Sequence, residues 1–134
     1  MRLNILKTKI AVGISIICFF SGCKKKSDLE NQIIIKINAI DNKTKQPRAN
    51  TFDTIEIKRE SAGYLTKTFD KIEERVTDSS GSIKIKIDCT KGYKFLLRKK
   101  KFYGSESFGE PFNREKLKDG QEVNIEVMSL ENYK

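Results

Sequence analysis

The segment at residues 82–89 alternates apolar and polar side chains with a period of two, and this pattern constrains the fold most strongly. Three isoleucines and Cys89 fall on one face, whereas Lys84, Lys86 and Asp88 fall on the other. Successive side chains of a β-strand point to opposite faces, so the alternation predicts a strand with one buried face. No part of the chain sustains a helical period, and we therefore predict an all-β protein.

Similar alternation elsewhere predicts further short strands, separated by clusters of turn-forming residues. These predicted strands lie at residues 32–40, 54–59, 75–77, 93–101 and 122–129. Residues 64–74 fit a strand or a loop better than a helix, and residues 103–120 are predicted to form a polar loop with one helical turn at 113–117. Because each strand has one apolar face, we predict a small antiparallel β-sandwich of about seven strands.

The N-terminus has the layout of a secretory signal. Arg2, Lys7 and Lys9 form a cationic start, and an uncharged apolar run follows at residues 10–20. At about eleven residues, this run suits the h-region of a signal peptide and is too short to span a bilayer. Residues 1–22 are therefore predicted to be a signal-peptide helix that takes no part in the folded domain.

The tetrapeptide Phe20-Ser21-Gly22-Cys23 ends this run and resembles the lipobox of bacterial lipoproteins. The resemblance implies cleavage before Cys23, a diacylglyceryl thioether on its sulfur, and acylation of the new N-terminus with a fatty acid such as palmitate. Phe20 departs from the pattern, because Leu is the commonest residue at that position. Residues 23–31 are then a polar tether, residues 32–130 the β-sandwich domain and residues 131–134 a short tail.

The formal net charge of +9 overstates how basic the folded domain is. The predicted signal carries three of these charges and the lysines at 24–26 carry three more. From Ser27 onward, 21 Lys and Arg stand against 18 Asp and Glu. A nucleic-acid partner is not predicted, because such binding needs a dense basic face. The lysines at 24–26 fit either a solvated tether or contact with anionic headgroups.

The residue types present exclude several kinds of chemistry. The chain has no histidine, which removes Ser-His-Asp and Cys-His catalysis and histidine zinc sites. Cys18 lies in the predicted signal and Cys23 is the predicted lipidation site, so Cys89 has no disulfide partner and is expected to be a small buried residue. The turns at Asp41 and Asp78 lack the spacing of a calcium loop, and no catalytic residue, metal or cofactor is predicted.

One basic run has adjacent aromatic residues: Arg98-Lys99-Lys100-Lys101-Phe102-Tyr103. Alternation places Arg98 and Lys100 on one face, and Lys84 and Lys86 extend this face if the two strands are neighbours. Two interpretations stay open. The cations form either a solvated outer face or a patch for an anionic partner, such as a polysaccharide, a lipid headgroup or an acidic protein surface.

Three turn motifs follow one another in a recognisable order. An Asp-rich turn ending at Pro47 follows the first strand, Thr77-Asp78-Ser79-Ser80-Gly81 precedes the strand at 82–89, and Gly92-Tyr93 opens the next. Over residues 33–103 this order resembles the carboxypeptidase regulatory-like, or transthyretin-like, β-sandwich modules of bacterial surface proteins. The resemblance implies a binding, adhesion or spacer role without catalytic residues. Lys101, where a glycine is usual, departs from the pattern.

The leading hypothesis is a lipid-anchored, non-enzymatic lipoprotein of the cell envelope. It would be a binding or structural accessory, with the membrane and an envelope protein or polysaccharide as partners. We expect it in the outer membrane of a Gram-negative bacterium, facing the periplasm or the cell surface. Alternatives are a secretion-system accessory or a toxin-neutralising, immunity-type lipoprotein, and an enzyme is a third hypothesis.

Overall fold

The computed structural model describes residues 30–109 and 115–132, and most of this range is β-strand. The strands are β1 (Gln32–Asp41), β2 (Thr54–Ser61), β3 (Thr68–Val76), β4 (Ser82–Asp88), β5 (Tyr93–Lys99), β6 (Phe102–Phe108) and β7 (Glu122–Ser129). A 3-10 turn at Leu130–Asn132 follows β7. The predicted all-β fold is confirmed, whereas the predicted signal helix and Cys23 lie outside the described residues. Within the described ranges, no helix has the length and apolarity to cross a bilayer.

The strands form one nearly closed sheet in the order β3-β2-β5-β6-β7-β1-β4. The sheet folds over at the β6–β7 junction, where two residue pairs are in register: Phe102 with Ser129 and Tyr103 with Met128. It therefore divides into two layers. All pairings between strands are antiparallel except that of β1 with β7, which is parallel. Alternation cannot distinguish these directions, because a parallel and an antiparallel partner leave the same face buried.

The two layers enclose a single core of aliphatic and aromatic side chains. Alternate residues of β2 and β5 in one layer form one cluster with those of β1, β4 and β7 in the other. Tyr93 and Phe95 are the largest fully buried members, and their stacked rings have centroids 6.1 Å apart. Burying a large apolar side chain contributes roughly 1.5–3 kcal/mol, so the alternating residues hold the layers together.

The structure corrects the prediction of a polar loop at residues 103–120. Residues 102–108 form β6, which pairs with β5 along its whole length. The inner face of β6 carries Phe102 and Phe108 at its ends but Gly104 and Glu106 between them, so the sequence lacks an apolar alternation there. The predicted helical turn at 113–117 lies partly outside the described residues. Residues 115–118 have no regular secondary structure, and Leu117 is buried in the core.

Two other segments differ in detail from their predictions. Cys89 lies one residue beyond β4 and is half-buried, not buried, because the pairing with β1 ends there and the chain turns toward β5. Residues 64–74, interpreted as strand or loop, divide between a loop and the first part of β3. β3 is an edge strand, and a bulge leaves Ile72 unpaired and exposed.

Candidate binding surface

The four cations singled out in the sequence lie in two separate places. Lys84 and Lys86 point outward from β4, an edge strand that pairs with β1, whereas Arg98 is on β5 and Lys100 follows in the β5–β6 turn. The strand β5 lies between β2 and β6, so it is not a neighbour of β4. The condition for one shared face is therefore not met, and the two pairs of cations lie on opposite layers of the sandwich.

Strand pairing shows which end of the sandwich lies near the start of the domain and which lies away from it. The tether end is where β1 begins. There the Cys89 amide donates to the Asn31 carbonyl and the Glu60 amide to the Gly92 carbonyl, both at 2.9 Å. The far end is where β1 and β7 finish and β5 turns into β6. The ten residues of β1 separate the two ends by roughly 33 Å, at about 3.3 Å per residue.

Two cations of the basic run are engaged within the fold at the far end. Lys99 Nζ donates to the Thr51 carbonyl at 2.9 Å and thereby joins β5 to the connection between β1 and β2. Lys101 Nζ lies 2.6 Å from Oε1 of Glu131, just beyond β7. Both contacts are exposed and contribute little free energy. These contacts hold in place the β5–β6 turn, which lies next to Arg98 and contains Lys100.

Those other two cations, Arg98 and Lys100, are exposed and have no hydrogen-bond or ion-pair partner among the residues that the structure describes. Exposed apolar side chains lie at the same end. Phe52 and Val76 are more than half exposed, and Leu130 lines a shallow open depression beside Lys100. Positive charge that no described residue neutralises, beside exposed apolar surface, suits an anionic partner that also offers apolar groups.

A buried ion pair supports the far end from within. Arg48 Nε lies 2.7 Å from Oδ2 of Asp53, and Arg48 Nη2 donates to Oδ1 at 3.3 Å. The Asp53 side chain is fully buried and also accepts a hydrogen bond from the Thr51 hydroxyl at 2.7 Å. The guanidinium carbon of Arg48 lies 4.4 Å from the centre of the Phe102 ring. Because separating such a pair is strongly destabilising, these contacts fix residues 48–53 in one conformation.

The Asp53 carboxyl is held in its ionised form. Burial raises the pKa of this group, but hydrogen bonds from Arg48 and Thr51, with the positive charges of Arg48 and Lys99, outweigh burial. The resulting pKa of Asp53 lies below its ordinary value of 3.8. The pair is therefore charged at neutral pH, and its contribution to stability depends on pH only in acid.

The connection between β1 and β2 contains three non-glycine residues with positive φ: Lys45 at 57°, Asn50 at 59° and Phe52 at 48°. This conformation is uncommon for most residues and a clear outlier for a bulky aromatic one. Such strain persists where surrounding contacts over-determine the backbone, and it clusters at functional positions. Thr51 and Asp53 are fixed on either side of Phe52, so the fold holds an exposed Phe in a strained conformation.

Gly81→Ala is expected to lower the free energy of unfolding more than Gly120→Ala, which is its matched control. The expected difference between the two variants is at least about 1 kcal/mol. Both glycines have positive φ, at 81° and 73°, so alanine carries a backbone cost of about 1 kcal/mol in either place. A Cβ at Gly81 would lie 2.9 Å from the Arg48 carbonyl oxygen, whereas one at Gly120 meets nothing within 4 Å. Urea unfolding measures the difference, and equal losses would contradict close packing of Gly81 on Arg48.

The aspartates of the two acidic turns accept hydrogen bonds from backbone amides of their own turns. Oδ1 of Asp78 accepts hydrogen bonds from the amides of Ser80 and Ser82 at 2.8 and 3.1 Å, and Oδ1 of Asp41 accepts one from the amide of Thr44 at 2.9 Å. This is the turn-forming role predicted for Asp78. Within residues 30–109 and 115–132, no three Asp, Glu, Cys or His side chains converge as a metal ion requires.

The exposed cations are evident in the sequence, but the residues that support them are not. Arg48 and Asp53 resemble ordinary charges of an exposed loop, and a left-handed backbone at Phe52 leaves no trace in the sequence. One weak signal is available, since Arg48 and Asp53 are opposite charges in a short connection between two strongly apolar strands. That spacing alone does not indicate burial.

No protein-family model matches the chain, and no curated protein matches its sequence.

Proposed function

We propose that this chain is a lipid-anchored lipoprotein of the cell envelope that acts without catalysis and binds an anionic partner at its far end. The observation that carries the proposal is the position of Arg98 and Lys100. These cations have no hydrogen-bond or ion-pair partner among the described residues, and they lie with exposed apolar side chains at the end of the sandwich opposite the tether. A domain anchored at Cys23 can present this end away from the bilayer, where an envelope protein or polysaccharide can reach it.

The anchor is supported by sequence features and by the length of the tether. A cationic start, a short apolar run and small residues precede Cys23 in the order that lipoprotein signals use. Nine steps along the chain separate Cys23 from Gln32, where β1 begins, and they reach about 32 Å at most. The tether end therefore stays near the bilayer surface.

A non-catalytic binding role is supported by the turn chemistry and by the residue types. Asp78 bonds the backbone of its own turn and Gly81 has a φ of 81°. Both residues belong to the turn at residues 77–81, one of the motifs that carry the resemblance to transthyretin-like modules. Such modules generally act in binding or as spacers rather than as enzymes. The lack of histidine removes the commonest acid–base group.

Charge reversal at the far end is expected to weaken binding to an anionic surface. The test variant is Arg98→Glu/Lys100→Glu, and the matched control is Lys84→Glu/Lys86→Glu on the opposite layer, which changes the net charge equally. Retention of the full chain on an immobilised sulfated polysaccharide is measured in a salt gradient, because salt screens exposed charges. We expect the far-end variant to elute at clearly lower salt than the control.

Equal elution of the two folded variants would show that net charge alone matters, which would contradict a binding surface at the far end. The same pair of variants can be used in pull-downs from envelope extracts. A single stoichiometric toxin or secretion-system subunit that the far-end variant loses and the control keeps would identify the accessory or immunity-type role as the correct form of the proposal.

A further inference from the structure

The loop between β2 and β3 exposes two consecutive large apolar side chains. Tyr64 is 100% exposed and Leu65 is 88% exposed. Isolated apolar residues on a surface need no explanation, but two adjacent ones at the tip of a hairpin form a projecting apolar contact. We call this pair the hairpin tip. The hairpin tip contributes nothing to the core. Packing of the core therefore does not explain why these two side chains are exposed at this position.

Contacts at the base of the hairpin define the direction in which the tip projects. The hydroxyls of Ser61 and Thr68 lie 2.6 Å apart across the two strands. Gly63 is required by the turn itself, because a Cβ there would lie 2.0 Å from the carbonyl oxygen of Thr66. The tip is therefore held outward by a glycine-dependent turn on a paired base.

The hairpin tip lies at the tether end of the sandwich. The amide of Glu60, at the hairpin base, donates to Gly92 at 2.9 Å, and the amide of Cys89, in the same β4–β5 turn, donates to Asn31 at 2.9 Å. One short turn thus joins the hairpin base to the point where the tether enters the fold. Cys23 is seven chain steps from Glu30, a reach of at most about 25 Å.

We infer that Tyr64 and Leu65 insert into the interfacial region of the bilayer that holds the lipid anchor. The inference rests on the proposed anchor at Cys23, which keeps the tether end close to the membrane. Tyrosine suits the interface because its ring is apolar and its hydroxyl stays hydrated, and leucine adds buried apolar surface. The anchor also makes insertion an intramolecular event, so a small contact suffices.

Insertion of the tip determines how the domain is oriented. A lipid at Cys23 alone leaves the sandwich free to rotate about its tether. A second contact at the hairpin tip holds the tether end against the bilayer and directs Arg98 and Lys100 outward. In the sequence, the lysines at 24–26 lie between Cys23 and the domain, and lysines near a bilayer add attraction to anionic headgroups.

Tryptophan fluorescence tests this orientation, because the chain contains no tryptophan. Leu65→Trp places a single reporter at the tip, and Phe52→Trp places a matched reporter at an exposed apolar position of the far end. The full lipidated chain is reconstituted in vesicles of phosphatidylethanolamine and phosphatidylglycerol that contain a phosphatidylcholine brominated in the upper acyl chain. We expect about a twofold loss of Leu65→Trp fluorescence, since interfacial side chains lie about 5–10 Å deep, and no loss for Phe52→Trp.

Vesicle flotation distinguishes failure of this inference from failure of the anchor. Protein that does not float overturns both. Protein that floats while the Leu65→Trp reporter emits as in water, without quenching, overturns tip insertion alone. Equal quenching of both reporters also overturns the inference, because the sandwich would then lie flat on the bilayer.

Discussion

Replacing Cys23 with Ala is expected to abolish incorporation of labelled palmitate and to move the protein from the membrane fraction to the soluble fraction. In the proposed lipoprotein, each acyl chain attached at Cys23 would bury many methylenes, and each methylene contributes about 0.8 kcal/mol. A single acyl chain binds only marginally, whereas two or more anchor stably. One sulfur and one amino group would carry all of these chains, so this substitution is expected to have a very large effect.

Two control substitutions separate lipidation from other cysteine effects. Cys18→Ala alters the predicted signal and Cys89→Ala alters a half-buried residue of the domain. Both are expected to leave palmitate labelling and membrane recovery unchanged. Labelling of the Cys23→Ala variant, or its full recovery with membranes after alkaline carbonate extraction, would contradict the anchor.

Asp53→Asn is expected to lower the free energy of unfolding by about 3 kcal/mol at neutral pH, because it removes the carboxylate that is paired directly with the buried Arg48. A loss of this size is a large part of the stability of a small domain, which is typically about 5–15 kcal/mol. Glu131→Gln is the matched control, since it removes one carboxylate from an exposed pair at the same end. It should change the stability by less than about 0.5 kcal/mol, and urea titration measures both.

The stabilities of the wild type and the Asp53→Asn variant are expected to converge in acid. The folded-state pKa of Asp53 is lowered below 3.8, so its stabilising effect is complete above the ordinary pKa and is lost as the pH falls through the folded-state value. Turn aspartates such as Asp78 titrate in both proteins, so the difference between the two curves isolates Asp53. Parallel pH profiles would contradict a charged buried pair.

Strands with complete alternation could be predicted from the sequence, because a strand with one buried face needs an apolar side chain at every second position. β1, β4 and β7 meet this condition. β6 does not, since Gly104 and Glu106 occupy its inner face, and its strand conformation comes from pairing with β5. A strand that depends on its neighbour's hydrogen bonds leaves only a weak pattern in its own residues.

The candidate binding surface could be predicted only in part. The basic run is evident in the sequence. The sequence could not show that Lys99 and Lys101 form contacts within the fold. Nor could it show that Arg98 and Lys100 have no partner among the described residues. Nor could it show that β4 and β5, which are consecutive, lie in different layers. The condition under which Lys84 and Lys86 would extend the patch, that the two strands are neighbours, is therefore not met.

The sequence by itself determined the all-β class, the apolar residues of the alternating strands and the turn roles of Asp78 and Gly81. It also carries the prediction of an anchor at Cys23. All of these depend on spacings within a short stretch of chain, where backbone geometry and burial act locally. Only the tertiary structure decided that Arg48 and Asp53 form a buried pair, that the cations lie in two places and that the hairpin tip lies at the end of the sandwich where β1 begins. Those facts depend on which strands pair and where the chain crosses between layers, and packing of the whole core sets both.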